Sequence, residues 1–297
     1  MKRSNLAELT MESLIRTAGL SAIVFVILIF AFLVREGAPA LWKIPLGNLF
    51  GTRWYPTFGI YGTMPLILGS LLVTAGAVAI ALPLGLASAI FISEVAPDWA
   101  REILKPAIEI IAGIPSVVLG FLGMIAVAPM IREIMDAPTG LTALTGSIML
   151  AYMSLPTIIS IAEDALDAVP RSYRDAALAM GATEWQTIWR VVVPAARSGT
   201  ITAVMLGIGR AIGETMAVMM VTGNAARMPL GLDAFLRPVR TMTATIAAEM
   251  GEVAQGSPHY HILFAVGILL FVIAFAINGG ASIVIFRRPR RERGEVL

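Results

Sequence analysis

The sequence has no cysteine among its 297 residues. Disulfides and thiolate metal sites are therefore excluded. Histidine is scarce too, and the two present, His259 and His261, sit together in "SPHYHIL". A His-x-His spacing can bind metal, but no carboxylate pattern around it completes a site, and two ligands do not make a zinc site. Charge is the third shortage. Only 14% of the residues are charged, against roughly 25% in a soluble domain. A net charge of +2 implies no nucleic-acid partner. No G-x-x-x-x-G-K-[ST] loop occurs, so the chain has no P-loop for ATP.

What fills the chain instead is hydrocarbon. Hydrophobic residues make up 57% of it, and they come in blocks rather than in a soluble protein's periodic pattern. This predicts an all-α integral membrane protein. A span needs about 20 mostly apolar residues, and six segments qualify: 14–34, 64–92, 107–130, 144–162, 200–221 and 262–286. The first is read as an uncleaved span, because its apolar run is long for a signal peptide and Arg35 and Glu36 follow at once. Pro83 and Pro115 fall inside the second and third spans, where kinks are expected.

Six spans place both termini on one side. With those termini cytoplasmic, fourteen of the 22 Lys and Arg residues lie inside, seven lie outside, and Arg210 lies within a span. That two-to-one bias follows the positive-inside pattern. The chain divides into residues 1–63, a core with five spans at 64–286, and a basic tail at 287–297 read as a topology anchor. An inner loop at about 163–199 and an outer one at about 222–261 are too long to be mere connectors. Glu163, Asp164 and Asp167 open the inner loop and read as a solvated face. Glu109, one turn into the third span, reads as interfacial or paired with a basic residue.

The inner loop contains "PRSYRDAALAMGATEWQTIWRVVVP". Ser172 with Asp175 resembles a capping box, and Thr183 with Gln186 matches one in full. Gly181 stands where a helix-ending glycine belongs, with positive φ. Pro194 stops the second helix. Tyr173, Ala176, Ala177 and Met180 share one helical face, and Trp185, Ile188, Trp189, Val192 and Val193 share another. Two amphipathic helices follow, and taken alone they would lie at the membrane surface.

"DAALAMG", nine residues and "VVVP" resemble the EAA loop of ABC-importer permeases, through Asp175, Ala176, Ala177, Gly181 and Pro194. Asp replaces the family's Glu, and valines replace its Ile and Leu. "FGIYGTMPLILGSLLVT", "AGIPSVVLGFLG", "GRAIGETMAV" and "RTMTATIAAEMGE" are similar to the phosphate-importer (Pst) permeases, to the PstC-like subunit more than its PstA-like sibling. The resemblance implies the type I ABC importer permease fold in a bacterial inner membrane. It implies a PstA-like second permease, a PstB-like ATPase homodimer that carries the ATP and Mg, and a PstS-like periplasmic phosphate-binding protein. No cofactor is expected in this chain itself, and membrane lipid surrounds it. The EAA loop would dock on the ATPase.

Within the fifth span, Arg210 lies near the midplane, where a charge costs about 2.5–3.5 kcal/mol. Glu214, four residues on along a continuous helix, would partly neutralise it. Gly209 and Gly213 would let another helix approach. Arginine's planar fork suits phosphate oxygens, so Arg210 and Glu214 are the expected substrate path. The competing readings are a structural ion pair, a permease for sulfate or molybdate, a non-transporting membrane scaffold, and a secondary anion transporter that would need no ATPase dock.

Overall fold

The structure, a computed structural model, describes residues 2–43 and 45–286. The basic tail at 287–297 lies outside them. Among the described residues five helices are long and apolar enough to span a membrane, and a bent pair makes up to six. Helix α1 (Lys2–Lys43) leads to a small hairpin in which β1 (Trp54–Tyr55) pairs antiparallel with β2 (Ile60–Tyr61). Helix α2 (Met64–Val95) follows, then α3 (Asp98–Ala112), α4 (Ser116–Ile134) and α5 (Ala143–Asp167). The inner loop forms α6 (Arg171–Ala179) and α7 (Glu184–Ala195), and α7 meets α8 (Arg197–Gly213) at 70°. Short helices α9 (Met216–Val221) and α10 (Met242–Glu249) precede the last span, α11 (Pro258–Phe286).

The core forms where α2, α5 and α8 cross. Small residues permit the close approach, as expected where lipid supplies no hydrophobic drive between helices. A Cβ added at Gly85 or Gly207 would collide with Ile158 of α5. Val73, Ala77, Ala81, Leu150, Ile158 and Ala211 pack there as one buried cluster. Helix α1 packs along α11, with Phe30 against Phe271 at 4.8 Å and Phe32 against Phe264 at 5.6 Å. The apolar stretch of α1 is otherwise uncovered by this chain.

Two expectations need correction. The third span does not run through 107–130. Gly113 and Ile114 lead into Pro115, which is extended at φ −58, ψ 136. Proline lacks a backbone donor and disfavours helix at the residue before it, so the apolar run splits. Its first part belongs to α3, a separate amphipathic helix with Leu104 and Ile108 against the core and the Glu109 side exposed. The span proper begins at Ser116. The fifth span is not one helix either: α8 stops at Gly213, Glu214 is extended at φ −67, ψ 130, and α9 starts at Met216. Pro83, by contrast, lies inside helix without ending it.

Three helices also widen by one residue locally, at Phe91–Val95, Gly123–Val127 and Ile188–Val192. Such wide turns gather at functional places in helices.

Candidate functional site

The inner loop folds as its local sequence directs. Gly181 has φ +85. Its N–H donates to Leu178 O at 2.9 Å, and the Ala182 N–H donates to Ala177 O at 3.1 Å. That paired pattern ends a helix on a left-handed residue, which glycine adopts without strain. Thr183 then caps α7: its hydroxyl accepts from Gln186 N at 3.2 Å, and Gln186 Oε1 accepts from Thr183 N at 3.1 Å. The Ser172–Asp175 box does not form. Pro170 takes the cap position of α6, and no side chain caps it.

The two apolar stripes part company. On α7, Ile188 and Val192 are buried against the core. On α6, Tyr173 is 54% exposed and Met180 89% exposed. Asp175 and Ala176 beside them are exposed too. This chain therefore presents α6 as an uncovered, partly apolar face.

Arg174 anchors that face. Its guanidinium donates to Glu94 at 2.5 and 3.1 Å, to Val169 O at 2.6 Å and to Leu166 O at 3.1 Å. The Glu94 carboxylate, closest to it, holds the guanidinium above its ordinary pKa. Asp167 accepts from Ser93 Oγ at 2.6 Å, and Arg101 donates to the carbonyls of Ile92 and Ser93. Lys105 of α3 sits 2.7 Å from Glu163 and 3.0 Å from Asp164. The hydrogen bond that Lys105 donates to Glu163 is the main cause of an ammonium held above the usual lysine range. Of the acids at the start of the loop, Glu163 is 2% exposed, whereas Asp164 and Asp167 reach solvent at 64% and 39% but are paired. The network ties the ends of α2, α3 and α5 to the start of α6.

The mid-span site differs from the expected ion pair. Arg210 is exposed on the surface of this chain, and its Nη1 donates to Thr157 Oγ1 of α5 at 3.3 Å. Among the described residues no ion pair joins it to Glu214. Glu214 stands beyond the end of α8, and its Oε1 accepts from Ala217 N at 3.2 Å, capping α9. The backbone groups freed by the break find hydroxyl partners. Thr215 donates to Gly213 O at 3.2 Å and Thr243 to Glu214 O at 3.0 Å. Threonines perform this compensation in broken spans. Gly209 lies closest to Asn278 of α11, at 3.6 Å from a Cβ placed on it, whereas nothing approaches Gly213. The site is thus an exposed arginine beside an interrupted helix, with Thr157 and Glu214 at hand.

The opposite end holds a polar cluster that sequence reading passed over. Glu249 is met by Arg240 at 2.7 Å, by His259 Nε2 at 2.8 Å and by Trp54 Nε1 at 3.2 Å. His261 hydrogen-bonds through Nδ1 to Glu36 O at 2.7 Å. The two histidines have separate partners, and no group of three metal-ligating side chains occurs among the described residues. The signal available in the sequence was "RTMTATIAAEMGE", which carries both Arg240 and Glu249.

Residues 81–288 match the family described as binding-protein-dependent transport system inner membrane component. The chain is 43% identical to the probable ABC transporter permease protein YqgH of Bacillus subtilis, over 78% of this chain and 74% of that one. It is 37% identical to the phosphate transport system permease protein PstC of Mesorhizobium japonicum, over 82% and 79% of the two chains. Among solved structures, a bacterial alginate ABC transporter in complex with an alginate-bound periplasmic protein superposes with a TM-score of 0.60. It covers 92% of this chain and 95% of that one at 17% identity, a likeness of fold alone.

Proposed function

This chain belongs to the family of binding-protein-dependent transport system inner membrane components, and from that premise we propose that phosphate crosses the bilayer along the face where Arg210 stands. The protein is a multi-pass inner-membrane permease subunit of a phosphate ABC importer, as its PstC relatives are. It is a transport subunit and not an enzyme.

The observation that carries the substrate path is the exposure of Arg210 beside the break in the fifth apolar segment. A lipid-facing arginine there would cost about 2.5–3.5 kcal/mol or more. The cost disappears if that face lines a watery path closed by a second permease. Arginine offers a planar pair of donors to phosphate oxygens. One arginine cannot neutralise a dianion, so a PstA-like sibling supplies another cation. Thr157 holds the guanidinium in place between ions. Glu214 shapes the opening through the cap on α9.

ATP and Mg belong to a PstB-like ATPase dimer, and a PstS-like periplasmic protein delivers phosphate to the outer face. The exposed face of α6 is the dock for that ATPase, with Asp175, Ala176 and Ala177 on it. Gly181 and Pro194 set the angles on either side of α7. Both termini face the cytoplasm, a reading supported by the fourteen-to-seven basic bias.

Arg210→Gln in the assembled complex tests the path. Phosphate uptake should fall by at least about tenfold, the loss of one charged hydrogen bond at about 1.5–3 kcal/mol. Near-normal uptake with intact assembly would remove Arg210 from the path. Competition by sulfate and molybdate against labelled phosphate checks the choice of oxyanion.

A further inference from the structure

A groove of about 590 Å³ runs along α2 from Pro83 to Val95, walled by Ala162 and Leu166 of α5 and closed by Trp185 and Trp189 of α7. Its chemistry is one-sided. The polar side-chain groups lining it are the Thr200 hydroxyl, which already donates to Ala196 O at 3.1 Å, and the indole N–H groups of Trp185 and Trp189. Apart from those two indoles the groove offers a ligand no free hydrogen-bonding side chain, so the occupant along α2 is hydrocarbon.

Length and position narrow the choice. Twelve residues separate Pro83 from Val95, which at about 1.5 Å per residue gives roughly 18 Å. One leaflet of hydrocarbon is roughly 15 Å deep, half of a bilayer core of about 30 Å. The groove therefore runs the depth of the leaflet on the side of the inner loop. At that end Phe91 and Val95 are about half exposed, as is Trp189, and Trp185 is more so. The two indoles pack edge to face at 5.6 Å, the ring type that settles at a membrane interface.

Charge supplies the other half of the ligand. Arg190 follows Trp189 directly, and Arg197 stands one turn before Thr200 on α8. Both are exposed. Neither is joined to an acid among the described residues, whereas Arg101, Lys105 and Arg174 nearby all are. Two exposed cations, each within one helical turn of a residue that lines an apolar groove, match a lipid with an anionic headgroup.

We propose that this groove is a binding site for one acyl chain of an anionic phospholipid whose phosphate is held by Arg190 and Arg197. The lipid then forms part of the bed on which α7 rests, and α7 carries α6. The site is independent of the path at Arg210, and its test reads lipid rather than transport.

The full importer complex is reconstituted in equal parts phosphatidylglycerol and phosphatidylethanolamine, re-extracted in mild detergent and weighed by native mass spectrometry. The native complex should retain phosphatidylglycerol in preference, with at least one molecule per copy of this chain. Ala87 is exposed and lines the groove, so Ala87→Trp should fill it and lose that molecule. The double variant R190Q/R197Q leaves the groove open. It should lower the preference for phosphatidylglycerol about thirtyfold, at about fivefold for each basic residue near an anionic surface. If Ala87→Trp does not assemble, the double variant decides alone. An unchanged lipid count in Ala87→Trp overturns the proposal, as does a native complex with no anionic preference. A helix of the sibling permease seated in the groove would give that unchanged count.

Discussion

Arg174 grips Glu94 with two nitrogens at 2.5 and 3.1 Å, across 80 residues of sequence. The same guanidinium covers two carbonyls at the end of α5. One side chain therefore fastens the exposed helix α6 to two membrane helices at once. Arg174→Lys should keep the charge but lose the fork, since lysine is a point donor. ATPase activity of the complex should survive while phosphate uptake per ATP falls several-fold. Glu94→Gln should do the same and lower the thermal midpoint, because charged hydrogen bonds contribute about 1.5–3 kcal/mol. Unchanged uptake per ATP in both variants would reduce the pair to packing.

Gly181 allows a test that separates backbone from volume. Nothing lies within 4 Å of a Cβ placed there, yet φ is +85. A substituent meets open space, so the only cost is conformational, about 1–2 kcal/mol for an L-residue. Asparagine tolerates this region and valine does not. Gly181→Asn should therefore transport nearly normally, and Gly181→Val should uncouple uptake from ATPase activity with the spans still inserted. Equal behaviour of the two variants would show that the turn does not set the angle between α6 and α7.

Glu214 serves α9 through a carboxylate oxygen that accepts from Ala217 N at 3.2 Å. Glutamine keeps that acceptor and alanine removes it. Glu214→Gln should hold stability, whereas Glu214→Ala should cost about 1 kcal/mol, the usual loss of a helix cap. The two thermal midpoints distinguish a cap from a counter-charge: a counter-charge role would make Gln as damaging as Ala.

Lys105 has a buried partner, Glu163, at 2% exposure. Lys105→Met strands that carboxylate; because Lys105 is 38% exposed and screened by solvent, the cost falls below the roughly 3–5 kcal/mol of a fully buried pair. The double variant K105M/E163Q should recover most of the loss. The pH dependence has a definite sign. Because the Lys105 ammonium is held above its ordinary range, its stabilisation is complete below the unfolded lysine value of about 10.4 and is lost as pH rises beyond it. Thermal melts from pH 6 to 9 should therefore show this pair's contribution in full and independent of pH.

The orientation is checked by reporter fusions at Leu297 and between residues 225 and 258. A cytoplasmic signal from the first and a periplasmic signal from the second are expected. A periplasmic signal at Leu297 would overturn cytoplasmic termini.

Much of this architecture was legible locally. Gly181 and Thr183 could be read because a helix end and a capping box are decided within three or four residues. The position of Arg210 within a span followed from hydropathy alone. Other features were illegible for physical reasons. Hydropathy runs unbroken through Pro115, so it hid the boundary between α3 and the span after it. The spacing of Arg210 and Glu214 implied a pair only if the helix continued. It stops partly because Thr243, 29 residues on, supplies a hydroxyl to Glu214 O. Glu94 and Arg174 carry no mutual signal, since only the fold brings them together.

The break at Glu214 has a mechanical meaning. An intact span resists bending because each degree strains the ladder of backbone bonds along its side. Here the ladder is already interrupted, and Thr215 bonds to the carbonyl only two residues before it. The segment is a jointed arm rather than a rod. Its two halves can swing about a pivot beside Arg210 with no rung of the helix torn, so the arginine can follow one half while α9 stays with the other.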